Sequence, residues 1–200
     1  IQDAAYESLL KSTRQQYHQR IAQALEAQFP ETTETQPEFL AHHYTEAGLT
    51  EKAVHYWYTA GQRASERSAH VEAIAHLRQG LALLQTLPET PQRLQREVDM
   101  LIALGASLLA TQGFAAPEVG QTYRHAQHLC QHLEEPHQLF PVLRGLWHYH
   151  LARAELQTAH ALVEQLLTLA QHAQDAAMLM AAYRALGSTL FHLGEAVPAL

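Results

Sequence analysis

The stretch Tyr183-Arg184-Ala185-Leu186-Gly187-Ser188-Thr189-Leu190-Phe191-His192-Leu193-Gly194, with Ala199 five residues further on, decides how this chain reads. Tyr183, Leu186 and Leu190 recur at three- and four-residue steps, so they share one face of a helix. Gly187, set among them, is small enough to let a second helix come close, and Gly194 stands where a helix must end and the chain reverse. Working back along the sequence, Leu146-Trp147 precedes Leu186-Gly187 by 40 residues, and Leu104-Gly105 precedes Leu146-Trp147 by 42. Each pair is followed three residues later by a large side chain: Leu108, His150 or Leu190. Val119, Ala159 and Ala199 repeat independently at 40 and 40. Two sets of positions keeping one period of about 40 predict a tandem array of helix pairs.

Composition agrees. Ala and Leu fill 64 positions against 11 for Val and Ile, a ratio that favours helix over strand. After a first helical segment from Ile1 to about Phe29, broken near Lys11-Ser12 with Ser12 as N-cap, the run Pro30 to Gln36 reads as a polar linker. Leu9, Leu10, Tyr17, Ile21, Leu25 and Phe29 form the apolar face of that segment. Helices are then predicted at about 37–47, 50–67, 70–87, 91–112, 117–134, 138–153, 156–173 and 176–193. Thr50, Thr90 and Asp175 read as N-caps, Pro37, Pro91 and Pro117 as first-turn residues, and Gly48, Gly113 and Gly194 as helix ends. Such short connections imply antiparallel neighbours. The chain opens on Ile1 with no signal-type segment and stops soon after a new helix begins, so it reads as a piece of a longer protein cut inside a repeating unit.

The last unit resembles the first helix and turn of a tetratricopeptide repeat. Leu40-Ala41-x2-Tyr44-x3-Gly48-x4-Ala53-x3-Trp57-x2-Ala60 matches a whole unit, while Ala73-x3-Leu77-x2-Gly80 and Val119-x3-Tyr123-x2-Ala126 match second helices. The opening segment, Ile1 through Ala22, together with Gly145-Leu146-Trp147, Arg153 through Ala159 and Arg184-Ala185-Leu186-Gly187, is similar to large bacterial signalling ATPases of the STAND/AAA type. In that family a nucleotide-binding module and a winged-helix segment precede a tetratricopeptide-like array, often with a class III adenylate/guanylate cyclase or protein-kinase domain at the N-terminus. The resemblance implies an all-α, right-handed α-α superhelix (a TPR-like solenoid) of antiparallel helix pairs with a period of about 40. It places a helical adaptor, the end of a winged-helix-like segment plus linker, at 1–35 and repeats at 36–200, the last truncated. None of the family's ATPase or cyclase residues can be carried over, because the phosphate-binding G-x-x-x-x-G-K-[ST] and G-x-G-x-x-G patterns are missing.

Chemistry is not expected of this segment. Of its 15 histidines, His125, His128 and His132 share a helix face, but 21 glutamines make a polar Gln/His surface the simpler account, and no metal or cofactor is expected. His42-His43 and His148/His150 are weaker ligand candidates, since adjacent and i+2 residues diverge around a helix. Cys130, between Leu129 and Leu133, reads as a small buried hydrophobe, and Trp57 of Tyr56-Trp57-Tyr58 as core. One cysteine fits a reducing, cytoplasmic setting. A net charge of −7 argues against nucleic acid and anionic membranes, and Met100 to Ala110, the longest apolar run, is far shorter than the roughly 20 residues of a span.

Solenoids present the first helix of each unit on a concave face. With Gly105, Trp147 and Gly187 setting the register, that face carries Arg144, His148 and Leu151, then Arg184, Ser188, Phe191 and His192, with Ile102, Ala106 and Leu109 in the preceding unit. Arg144 and Arg184 are 40 residues apart, so they stack on one wall. Guanidinium groups grip carboxylates through two parallel hydrogen bonds, which points to an acidic peptide or protein surface as partner. The competing reading has each arginine paired with a neighbouring carboxylate such as Glu155. The function expected is a non-catalytic interaction and regulatory arm. Self-association as a homo-oligomeric scaffold and sensing of a small molecule are the alternatives.

Overall fold

A computed structural model describes residues 10–133 and 138–195. Ile1 through Leu9 of the opening segment, Glu134, Glu135, and Ala196 through Leu200, where the repeat assigns the last unit's second helix, lie outside the described residues. Those described form ten helices and no strand. The chain divides into two compact units, Ile1–Arg93 and Leu94–Leu200.

The first unit contains α1 (Lys11–Gln28), α2 (Pro30–Thr35), α3 (Pro37–Ala47), α4 (Thr50–Glu66) and α5 (His70–Leu84). Helix α3 packs on α1 and α4, and α4 on α5. Ala22, Leu40, Tyr44 and Ala53 are buried together, flanked by Leu25, Leu49, Tyr56, Trp57 and Leu83. At Gly61 a Cβ would fall 2.6 Å from Leu77 Cγ, so the missing side chain is what lets α4 and α5 approach.

Three local expectations need correction here. Pro30 to Gln36 is not a linker but a helix, because Pro30 pre-sets its first turn and the Thr33 and Thr35 hydroxyls bond back to the Phe29 and Glu31 carbonyls. The helix start expected at Lys11-Ser12 is found, but Leu10 and not Ser12 is its N-cap, with no side-chain bond: α1 opens at Lys11. Among the described residues of its expected apolar face only Leu25 packs on the core, beside the buried Ala22, while Leu10, Tyr17, Ile21 and Phe29 are exposed. A small residue fits the closely packed α1–α3 contact where large ones would not.

The second unit continues α6 (Pro91–Gln112), whose first residues belong to the first unit, through α7 (Pro117–Cys130), α8 (Leu139–Ala152), α9 (Leu156–Ala173) and α10 (Ala176–Leu193). Helix α8 packs on α7 and α9, and α9 on α10. The 40-residue period is visible in the core: Val119 and Ala159, Tyr123 and Val163, Ala126 and Leu166, Cys130 and Ala170 are all buried. Leu104-Gly105 and Leu146-Trp147 are buried too, but Gly187 is exposed, with nothing described within 4 Å of the place a Cβ would take. Buried on α10 instead are Ala182, Ala185 and Thr189. On α8, where Trp147 takes the place held by Gly105 and Gly187, a close approach is made two residues earlier, at Gly145, which meets the Tyr123 ring.

Pro37, Pro91 and Pro117 open their helices, Asp175 accepts from the Ala177 and Met178 amides, and Thr90 accepts from Arg93. Thr50 is not a cap: it is already helical, and Leu49 precedes it without a side-chain bond. Gly48, Gly113 and Gly194 take positive φ as expected. No described helix is long and apolar enough to cross a membrane.

Candidate partner-binding face

Helices α8 and α10 are joined by a buried hydrogen bond from Trp147 Nε1 to Thr189 Oγ1, 2.9 Å long. His148 and Ser188 are the chain neighbours of these two residues. One turn back from His148 on α8 is Arg144, and one turn back from Ser188 on α10 is Arg184. Arg144, Arg184 and His192 are exposed, while His148 and Ser188 are half-buried.

His148 Nδ1 lies 2.9 Å from the Arg144 carbonyl, and His192 Nδ1 lies 2.7 Å from the Ser188 carbonyl. A carbonyl only accepts, so in each ring Nδ1 carries the proton. The His148 ring sits 4.5 Å from that of Trp147 and 5.2 Å from that of Phe114, centroid to centroid. Burial, and then the charges of Arg144 and Arg184, hold His148 below its usual pKa, with the Arg144 carbonyl opposing them. The charges of both guanidiniums thus bear on this one imidazole.

Neither Arg144 nor Arg184 has an ion-pair partner among the described residues. Glu155, the carboxylate considered for them, is held by Arg153 Nε at 2.8 Å and by His150. Phe191 is exposed and Leu151 half-buried; on α6, Ala106 is exposed and Ile102 and Leu109 half-buried.

The other candidates take structural places. Cys130 is buried, which pushes its thiol up and away from the reactive thiolate. His125, His128 and His132 are all exposed, but His125 faces the buried Glu97 at 3.6 Å, while His128 and His132 meet edge to face. Among the described residues no three His, Cys, Asp or Glu side chains converge as a metal-binding group. Trp57 bonds to Thr45 and stacks on His76.

Sequence reasoning missed two polar clusters in the first unit. His18 Nδ1 and His43 Nδ1 are 2.8 Å apart, with His42 alongside, so α1 and α3 meet through histidines. Burial lowers the pKa of both His18 and His43. Glu26 accepts from Tyr56 Oη at 2.6 Å and Lys52 Nζ at 3.1 Å. Burial would raise Glu26, but hydrogen bonds from Tyr44, Tyr56 and Lys52 outweigh it and keep the carboxylate low. Polar residues 25 and 30 positions apart leave no local pattern in a sequence.

No protein-family profile matches the chain. Over 149 residues, 74% of this chain, it is 30% identical to an uncharacterized protein of Rhizobium meliloti (strain 1021). The chain spans 14% of that relative's length.

Proposed function

We propose that this segment is a non-catalytic interaction and regulatory module of a longer signalling protein, and that it takes an acidic peptide or acidic protein surface across Arg144 and Arg184. The observation that carries the reading is that two exposed arginines, each one turn from a residue flanking the Trp147–Thr189 bond that joins α8 to α10, lack a carboxylate partner among the described residues. In a chain of net charge −7 with 13 Lys and Arg, two exposed guanidiniums without a carboxylate leave their paired donors open to an acidic ligand. The 40-residue return of buried positions supports a right-handed, tetratricopeptide-like stacking of helix pairs, in which α8 and α10 are first helices and their shared face is the groove.

The small share of its relative that the chain spans fits a module within a larger protein. By the resemblance to STAND-type ATPases, a ligand here biases a nucleotide-binding module between resting and active states, which requires that it bind one state more tightly than the other.

The test is calorimetric titration with hexaglutamate at low salt. Saturable binding that weakens at least tenfold in the Arg144→Ala, Arg184→Ala double variant, with its helical circular dichroism and melting intact, supports the reading. Absence of binding, or equal binding by the double variant, overturns it.

A further inference from the structure

The half-buried His148, one turn along α8 from Arg144, has one nitrogen to spare. His148 Nδ1 is taken by the Arg144 carbonyl at 2.9 Å, so a second proton can enter only at Nε2. The ring lies against those of Phe114 and Trp147, 5.2 and 4.5 Å away and tilted to both. The charged groups facing it are Arg144 on its own helix and Arg184 on α10; Phe114 and Trp147 bring none, and His192 lies one turn beyond Ser188.

We infer that His148 is a proton-linked third cation of this face: an acidic peptide seated on Arg144 and Arg184 takes up a proton from solvent at His148 Nε2, and its affinity rises on acidification. This rests on the proposed function above. In the free protein the two guanidiniums oppose an imidazolium, and a carboxylate that neutralises them turns the same position into one that attracts a positive charge. By linkage, a site that gains a proton on binding its ligand binds it more tightly as pH falls. One proton limits the gain to about tenfold per pH unit. The peptide's own carboxyls, near ~4.3, stay largely ionised down to about pH 5.5.

Hexaglutamate binding is measured by calorimetry at three pH values between about 7.5 and 5.5, each in two buffers of different ionisation enthalpy, because buffer-dependent heat counts the protons taken up. The His148→Asn variant keeps a donor for the Arg144 carbonyl and cannot become a cation. Wild type is expected to tighten severalfold per pH unit with net proton uptake, while His148→Asn binds with little dependence on pH. In parallel, the His148 imidazole followed by NMR is expected to titrate higher with peptide than without, a reading that does not depend on the variant's folding. Binding that is flat in pH, an unchanged His148 titration, or the same pH dependence in His148→Asn overturns this inference and leaves the arginine site standing. No binding by wild type at any pH overturns both.

Discussion

Trp147 and Thr189, 42 residues apart in the chain, are joined by a buried 2.9 Å hydrogen bond that ties α8 to α10. The Thr189 hydroxyl spends its own proton on the Ala185 carbonyl at 2.8 Å, so the lone pair it offers the indole is its second bond. Thr189→Val keeps the shape and strands a buried indole N–H, which costs about 1–3 kcal/mol. In urea unfolding, adding Trp147→Phe to Thr189→Val should cost less than the two single losses combined, because both remove the same bond. Strict additivity would show that the bond contributes nothing to the α8–α10 contact.

Tyr123 is wedged between two glycines. A Cβ at Gly105 would come within 2.6 Å of its ring, and one at Gly145 within 2.4 Å. The ring is buried and pressed from both sides, so it cannot swing clear. Gly105→Ala and Gly145→Ala should each destabilise the protein by about 1–3 kcal/mol through overpacking. Gly187→Ala should go the other way by about 0.5–1 kcal/mol, since a helix interior prefers alanine and nothing described crowds that position. Thermal melting of the three variants compares them directly.

That contrast also shows what the sequence could and could not convey. A period of 40 and a surplus of Ala and Leu are properties of the whole chain, and they placed the helices of the second unit to within a few residues. Which small residue sits at a close approach is decided by the partner helix, so nothing in the sequence marks Gly145, two residues before Trp147, as the one that meets Tyr123. Helix ends were legible where glycine marks them, as at Gly48 and Gly194. Ser68 and Ala154 take the same left-handed turn at φ 60° and 57°, held by the bonds Ala69 N to Ala64 O and Glu155 N to His150 O, with nothing in their identity to announce it. Arg144 and Arg184 could be found because the period repeats them. Phe114 and the His18–His43 pair could not, because only folding brings them to their partners.

The half-buried histidines of the first unit make it acid-sensitive. Burial lowers His18, His43 and His76; Glu46 opposes it at His18 and His43, and Glu38 and Glu72 oppose it at His76, while His42 and Arg14 add to the lowering at His18. The unfolded chain takes up its protons near 6.5, and the folded chain only at lower pH. Between those values the unfolded state holds more protons, so stability falls as pH falls below about 6.5. The His18–His43 contact sharpens this, because a hydrogen bond between two Nδ1 atoms needs one donor and one acceptor, and two imidazoliums offer only donors. The urea midpoint should drop between pH 7.5 and 5.5, with amide exchange in α1 and α3 accelerating more than in α9. Glu26, held low by its hydrogen bonds, stays ionised throughout that window and does not contribute. His18→Gln with His43→Gln should reduce the pH dependence to the part left by His76 and His148, since glutamine cannot charge. A midpoint that is level or rises on acidification would mean that these histidines are protonated in the folded protein, and that α1 is held on α3 by other contacts.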